Sequence, residues 1–260
     1  MILDSVAREV YSRQILMKEI GESGQRKLAG ASVLVIGCGG LGAPALYYLT
    51  AMGIGRLGLC DGDTVSLSNL NRQILFKQDD LGKPKAQTAG KRLRALNPQL
   101  ETTVYDCFLD ADLAASILPA YDIILDCLDN FESRFVLNDA CVAARKPFVH
   151  AGIGEFFGQL MTVTPGTGPC LRCLFPAGAQ RPSGTQRPDE INKKGPKKPF
   201  GVVGPTPGVL GSLQALEALK YLLGLPVSND GLVVYDGLQM SLEKVAMTPS
   251  PDCICMGKTV

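Results

Sequence analysis

The first residues whose types could do chemistry form a glycine-rich turn in the N-terminal part of the chain. The turn reads Gly-Cys-Gly-Gly-Leu-Gly over residues 37–42 and follows the apolar run Ser32–Ile36. Glycine lets the backbone approach a phosphate or a ribose, and the N-terminus of the next helix offers unpaired N–H groups to negative charge. Asp61 ends the following apolar run, where a carboxylate would bind ribose hydroxyls. The pattern predicts a nucleotide site, for which a nicotinamide dinucleotide and ATP are both candidates, with the residues Gly37, Gly39, Gly40, Gly42 and Asp61.

A second group of polar residues follows Asp61 and favours a polyphosphate over a nicotinamide cofactor. Residues 68–73 read Ser-Asn-Leu-Asn-Arg-Gln, and Lys85 lies at the start of the next predicted helix. A polyphosphate needs cations and fixed hydrogen-bond donors, which this segment contains. Asp126 and Asp129 flank the end of a later apolar run, at the sheet edge where a carboxylate can hold Mg²⁺ between phosphates. A solvated loop with helix-capping carboxylates is the alternative interpretation.

Cysteine is abundant, with nine residues, and four of the nine form two short pairs. Cys170 and Cys173 are separated by two residues, and Cys253 and Cys255 by one. Two thiolate pairs that converge on one Zn²⁺ would make a closed structural site and tie the C-terminal tail, 248–260, to the rest of the chain. Reduced free thiols or a redox pair are the alternatives. The remaining cysteines are expected to be small core residues: Cys38, Cys60, Cys107, Cys127 and Cys141.

The elements that must position these residues follow the order of an α/β fold. Short apolar runs typical of buried parallel strands alternate with helical segments, beginning with a helix predicted over Tyr11–Leu28. After Gly158 the pattern changes to a strand, a strongly apolar helix over Val209–Leu223 and a closing hairpin. The sequence therefore predicts one doubly wound, Rossmann-like mixed sheet, parallel in its N-terminal half and antiparallel in its C-terminal strands.

Composition restricts the class of protein. The 260 residues are expected to form a single domain, 1–260, with a flexible basic loop over 178–200 that is rich in Pro, Gly and Lys. A formal net charge of +1 argues against a broad nucleic-acid or membrane surface. No apolar run reaches the roughly 20 residues that cross a bilayer, and the N-terminus has no signal-peptide core. A cytoplasmic protein with neither nucleic-acid nor membrane partners is the expectation.

Together these segments resemble the ThiF/MoeB/HesA family, which is related to the ubiquitin-activating enzymes. The resemblance covers nearly the whole chain, and its specificity comes from the shared order and spacing of the motifs. It also includes Tyr-Ser-Arg-Gln-Ile at 11–15, Gly-Val-Val-Gly-Pro at 201–205 and the helical segment 211–220. The resemblance implies an adenylyltransferase that uses ATP to adenylylate the C-terminal carboxylate of a small ubiquitin-like sulfur carrier protein ending in Gly-Gly, with release of pyrophosphate.

The resemblance also assigns roles to individual residues. An ionised carboxylate needs no general base, so positioning and charge neutralisation must supply the catalysis. Arg13, Arg72 and Lys85 are the implied cations, and Asp129 is the implied Mg²⁺ ligand. Arg13 resembles the arginine that dimers of the family donate to the neighbouring subunit, which implies a homodimer. Beyond the glycines and Asp61, the implied ATP-site residues are Ser68, Asn69, Leu70, Asn71, Arg72, Gln73, Lys85, Asp129 and Asn130.

Two features depart from the family pattern. Zinc-binding members have two residues between the cysteines of both pairs, whereas the pair at Cys253 is one residue shorter. Members that form a thioester or persulfide have a cysteine shortly before the 201–205 segment, where this chain has Lys197. The departure predicts that no enzyme thioester forms and that a separate sulfur donor protein acts. An NAD(P)-dependent oxidoreductase, a non-catalytic scaffold and an enzyme for a peptide or tRNA-linked carboxylate remain alternatives.

Overall fold

The computed structural model describes residues 3–176 and 201–256 and contains one eight-stranded mixed sheet. The strand order is β3-β2-β1-β4-β5-β6-β7-β8, in which the first five are parallel and the last three pair antiparallel. This confirms the predicted fold class. The strands are β1 Ser32–Ile36, β2 Arg56–Cys60, β3 Glu101–Tyr105, β4 Ile123–Asp126, β5 Phe148–Gly154, β6 Phe157–Val163, β7 Gly231–Asp236 and β8 Ser241–Ala246.

Helices cover both faces of the sheet. They are α1 Ser5–Val10, α2 Ser12–Ile15, α3 Gly21–Gly30, α4 Gly42–Ala51, α5 Lys85–Leu96, α6 Ala111–Ile117, α7 Phe131–Ala143, α8 Leu171–Leu174 and α9 Pro205–Leu223. Alternate side chains of β1 enter opposite cores: Val33 and Val35 pack with α3, α4, α5 and α9, and Leu34 and Ile36 pack with α6 and α7. Because successive side chains of a strand point to opposite faces, a strand buried on both sides must be apolar throughout.

The strand order reverses beside β1. The chain first extends from β1 to β2 and β3, and then returns to place β4 on the other side of β1. Ligands of open α/β sheets bind outside the carboxyl ends of the strands at such a switch point. The segments that follow β1 and β4 therefore lie side by side where a nucleotide site is expected.

The N-terminal helix differs from its prediction. The single helix predicted over Tyr11–Leu28 is wrong, because α2 ends at Ile15 and α3 begins only at Gly21. Gly21 has φ of 57°, a left-handed conformation, and its N–H bonds the carbonyl of Met17 in the turn between the two helices. The helix predicted from Val209 begins earlier, at Pro205, because proline suits the first turn, where its missing N–H is not needed.

Within the described ranges, no helix combines the length and the apolar character needed to cross a membrane.

Candidate active site

The glycine turn packs against the segment that follows β4. Gly37 has φ of 96°, and a Cβ there would lie 2.6 Å from the carbonyl oxygen of Cys127. A Cβ at Gly42 would lie 2.0 Å from the carbonyl oxygen of Gly37, so both positions require glycine. At Gly39 and Gly40 an added Cβ would meet only side chains, at 3.3–3.4 Å. The backbone at these two positions precedes α4, whose N-terminus suits a phosphate.

Asp61 joins β2 to the glycine turn. Its Oδ2 accepts the N–H of Cys38 at 2.7 Å, and its Oδ1 accepts the N–H of Asp63 at 2.9 Å. Burial raises the pKa of Asp61, while the bond from Cys38 and the charge of Lys85 oppose that shift. An ionised carboxylate offers about four lone pairs, so Asp61 retains acceptor capacity for a ribose hydroxyl.

The polar loop, residues 68–73, folds back on itself. The Nη1 of Arg72 donates to the carbonyl oxygen of Ser68 at 2.9 Å and to Oδ1 of Asn71 at 3.2 Å. Asn69 is buried, and its Oδ1 accepts the N–H of Ser66 at 3.1 Å. Asn69 therefore fixes the shape of the loop, whereas Ser68 is exposed and Arg72 is half-buried.

Gln73 has an unsatisfied oxygen beside the glycine turn. The residue is 5% exposed, and its Oε1 has no hydrogen-bond partner among the described residues. Its Nε2 lies 3.4 Å from where a Cβ at Gly39 would be. A buried acceptor without a partner is costly, and a ligand hydroxyl or amine at the turn would satisfy it. The site therefore fits a polar ligand.

Lys85 has a buried stem and a paired ammonium group. The residue is 5% exposed, and its Nζ donates to Oδ2 of Asp63 at 2.8 Å. The backbone N–H of Lys85 also donates to the carbonyl of Asp63, at 2.9 Å. Asp63 is absent from the sequence prediction, although its spacing of two residues from Asp61 is a signal that could have found it. The ammonium group has three donors, so this pairing leaves capacity for a phosphate.

Asp129 and Asn130 lie where β4 leads into α7. Asp129 is exposed, and its Oδ1 lies 3.4 Å from Nδ2 of Asn130. The Oδ1 of Asn130 accepts the N–H of Ser133 at 2.9 Å and so caps α7. An exposed carboxylate at this edge has the oxygen chemistry that Mg²⁺ prefers.

Asp126, the other carboxylate at this edge, is fully buried, which leaves Asp129 as the exposed candidate for Mg²⁺. The Oδ2 of Asp126 lies 2.6 Å from Nδ1 of His150, which is also fully buried. Burial lowers the pKa of His150, although the hydrogen bond with Asp126 opposes this shift. The neutral ring then donates from Nδ1 to Asp126 and can accept at Nε2 from Gln159, 3.4 Å away.

Arg13 is exposed on α2, and its side chain makes no hydrogen bond or ion pair within 3–176 and 201–256. α2 is anchored near the C-terminal end of α4. The ring of Tyr11 covers Gly53, and Gln14 donates to the carbonyl of Met52 at 3.3 Å. Because α4 is 10 residues long, this anchor lies about 15 Å from the glycine turn. The fold thus separates Arg13 from the other predicted site residues of its own chain.

The four paired cysteines converge on one another. Their sulfur atoms all lie within 4.8 Å of one another, and the Cys170–Cys253 and Cys173–Cys255 distances are both 3.5 Å. Tetrahedral zinc with sulfur ligands at about 2.3 Å requires sulfur–sulfur distances of about 3.8 Å, so the cluster fits this ion. The shorter spacing between Cys253 and Cys255 does not prevent the convergence.

Two further expectations concern other parts of the chain. Cys107 was expected in the core but is exposed, because it lies beyond the end of the edge strand β3. That expectation is wrong. The whole of the basic loop over 178–200, with Lys197, lies outside the described residues.

Comparisons with known proteins agree on one family. The ThiF family profile matches residues 11–255. A Thermus thermophilus protein named "Sulfur carrier protein adenylyltransferase" is 42% identical over 253 residues, which are 95% of this chain and 90% of the relative. A Mus musculus protein named "Adenylyltransferase and sulfurtransferase MOCS3" is also 42% identical, over 95% of this chain, but the match spans only 52% of that relative.

Solved structures include a similar fold. The crystal structure of Escherichia coli MccB with ATP superposes with a TM-score of 0.80 and 26% identity, over 96% of this chain and 75% of that chain.

Proposed function

The chain belongs to the ThiF family, and from this premise we propose that it uses ATP to adenylylate the C-terminal carboxylate of a small ubiquitin-like sulfur carrier protein. The observation that carries the proposal is the packing of the glycine turn at the switch point of the sheet, where Gly39 and Gly40 lie beside the polar loop and Gly37 lies against the segment after β4. Asp129 follows in that segment, and Lys85 begins α5. The Thermus thermophilus relative, of which the match covers 90%, supports a sulfur carrier as the substrate.

The reaction requires little covalent chemistry from the protein. A carboxylate oxygen of the carrier would bond to the α-phosphorus of ATP as the bond to the bridging oxygen of the β-phosphate breaks, and pyrophosphate would leave. Asp61 would bind the ribose, and the backbone at Gly39 and Gly40 would approach the phosphates. Arg72 and Lys85 would neutralise charge on the phosphates, through donors that their present partners leave unused.

Asp129 is the residue that we assign to Mg²⁺, because its carboxylate is exposed at the nucleotide edge while Asp126 is buried. When bound, the ion would neutralise phosphate charge. The cations at Arg72 and Lys85 favour a triphosphate over the nicotinamide dinucleotide of an oxidoreductase.

Pyrophosphate exchange tests the proposal. With Mg-ATP and a carrier ending in Gly-Gly, the protein should exchange labelled pyrophosphate into ATP, and Asp129→Ala should abolish the exchange. Asp79→Ala is the matched control, because Asp79 is an exposed aspartate on another segment. Full exchange by Asp129→Ala would refute the assignment. Exchange with a short peptide and not with the carrier would favour the peptide alternative, and binding of NAD(P)H would favour an oxidoreductase.

The exposed position of Arg13 supports the proposal of a homodimer with shared sites. Helices α1 and α2 bury no residue of their own, and apolar side chains are exposed on α1 and directly after α2: Val6 is 64%, Val10 63% and Leu16 77% exposed. An apolar face of this kind marks an interaction surface. A second copy would cover it, and its own site would receive Arg13.

The cysteine cluster is assigned to structural zinc. Four thiolates would close the coordination sphere, which leaves no open position for catalysis. The ion would tie the segment after β8 to α8. The absence of a cysteine before Gly201 supports release of the acyl-adenylate without a thioester, followed by attack from a separate sulfur donor protein.

A further inference from the structure

A buried polar cluster lies behind Asp129 and takes no part in the reaction proposed above. The aspartate loop, residues 126–130, joins β4 to α7. Asp126 and His150 are completely buried, and Arg134 is 7% exposed. Three ionisable groups in a core next to an exposed carboxylate call for a physical explanation, because buried charges are expensive.

The carboxylate of Asp126 joins strand β5 to the backbone of the aspartate loop. Its Oδ2 accepts from Nδ1 of His150 at 2.6 Å. Its Oδ1 accepts the backbone N–H of Leu128 at 3.1 Å. His150 thus fixes the orientation of a carboxylate whose second oxygen holds the residue immediately before Asp129.

The other backbone group of Leu128 is held as well. The Nη2 of Arg134 donates to the carbonyl oxygen of Leu128 at 2.5 Å and to that of Ala151 at 3.1 Å. The loop therefore has a charged side chain on each side of Leu128, one from β4 and one from α7.

Helix α9 fastens the start of the same loop. The Nε2 of Gln214 donates to the carbonyl oxygens of Asp126 and Val149, both at 2.9 Å. Its Oε1 accepts from the thiol of Cys127 at 3.3 Å. Strand β5 and helices α7 and α9 therefore all bond this short segment, and Asp129 is its exposed member.

Stability alone does not account for the cluster. Well-packed apolar residues of similar volume often replace a buried ion pair with no loss of stability. Hydrogen bonds, in contrast, are directional, and they select one backbone conformation of the loop. A displacement of about 1 Å in a catalytic group can reduce a rate about 10²-fold, so a fixed conformation matters for Asp129.

We infer that His150, acting through Asp126, is a positioning residue that holds Asp129 at the nucleotide edge. The expected effect of His150 on the reaction rate rests on the proposed function. The expected effect of His150 on the conformation of the loop is independent of that function. His150 touches neither phosphate nor carboxylate of a substrate in this arrangement, since it is fully buried behind the loop.

Three substitutions of His150 separate positioning from general stability. In His150→Asn the amide nitrogen lies at the same distance along the side chain as Nδ1, so it can still donate to Asp126. In His150→Gln the amide lies one bond further out, near the place of Nε2, and the bond to Asp126 is lost. His150→Leu removes the polar atoms altogether. Asn and Gln are both polar amides, so this pair remains informative if the leucine variant fails to fold.

Two measurements decide the outcome. Hydrogen exchange of the Leu128 amide should remain slow in wild type and His150→Asn and should become at least about 10-fold faster in His150→Gln and His150→Leu. Pyrophosphate exchange should fall about 10²-fold in the same two variants, and half-maximal activity should require more Mg²⁺. In an Asp129→Asn background, His150→Gln should cause no further loss of rate, because both changes act on one group.

Equal amide exchange in all four proteins would overturn the inference. It would also be overturned if the amide exchanges faster in His150→Gln while pyrophosphate exchange and its Mg²⁺ dependence stay at the wild-type level. A wild-type protein without pyrophosphate exchange would refute the proposed function instead, and the amide measurement would still decide whether His150 holds the loop.

Discussion

Replacing Lys85 by methionine isolates the contribution of one charge to the proposed reaction. Methionine keeps an unbranched apolar stem in a site where the lysine is 5% exposed, so the core around α5 keeps its packing. The ammonium group and its 2.8 Å bond to Asp63 are lost. Loss of one donor aimed at developing charge reduces a rate by about 10²–10³-fold, which is the expected fall in kcat/KM for ATP.

The same substitution should have little effect on stability. The side chain of Asp63 is 54% exposed, so water replaces its lost partner, and removal of such a pair costs about 1 kcal/mol or less. The melting temperature should therefore fall by no more than about 4 °C. A large loss of rate with a small loss of stability is the combination that distinguishes a catalytic cation from a structural one.

Lys83→Met is the matched control for this experiment. Lys83 lies two residues away, its side chain is 55% exposed, and it pairs with Asp80 outside the proposed site. Pyrophosphate exchange should be unchanged in Lys83→Met. Lys85→Arg should recover part of the rate, because the charge remains but its geometry changes. A threefold change in kcat/KM corresponds to less than about 1 kcal/mol in the activation barrier. If kcat/KM of Lys85→Met stays within about threefold of wild type, Lys85 does not stabilise the phosphates.

Three further predictions concern the subunits, the metal and the covalent state. Mixing Arg13→Ala with Asp129→Ala subunits should restore one of the two sites in each heterodimer if each site takes one arginine from its neighbour; an active monomer would exclude this arrangement. Protein purified without chelator should hold one zinc per chain, and Cys170→Ser should lose the ion and melt at a lower temperature. Zinc affinity should decrease as the pH is lowered. Burial raises the pKa of the Cys170 thiol, and zinc must displace the proton of that thiol to bind. Stable metal-free protein with four titratable thiols would contradict the zinc assignment. Intact-mass spectrometry after incubation with ATP and carrier should find AMP-carrier and unmodified enzyme, and a thiol-sensitive adduct that survives denaturation would show that a thioester forms.

The order of strands and helices could be predicted because a strand that is buried on both faces appears in the sequence as a short, nearly continuous apolar run. β1 lies at the predicted Ser32–Ile36, and its alternate side chains enter two different cores. The break between α2 and α3 could not be predicted from apolar spacing, since the left-handed turn at Gly21 lies between segments that each have helical character.

The site could be predicted only at the level of segments. The positions of the glycine turn and Asp61 follow from the strand–turn–helix context, which the fold reproduces. The partners of individual side chains depend on other elements: Asp126 is paired with a histidine 24 residues away on the neighbouring strand. The sequence does not indicate this contact. Asp126 and Asp129 are both aspartates at the end of one apolar run, so their type and spacing do not show which of the two is buried and paired.

Burial, more than residue type, divides the polar residues of this edge into those that hold the backbone and those that can meet a ligand. Asp126 and Asp129 are three positions apart, yet the first is fully buried and bonds its own loop while the second is exposed. Asn69 and Ser68 divide in the same way in the polar loop, where the buried asparagine bonds the backbone of Ser66. A buried polar group must find partners within the protein, so it becomes a structural constraint. Its exposed neighbour can exchange bound water for a substrate group. The buried residue holds the backbone of that neighbour in one conformation, so the exposed side chain is already positioned for the substrate.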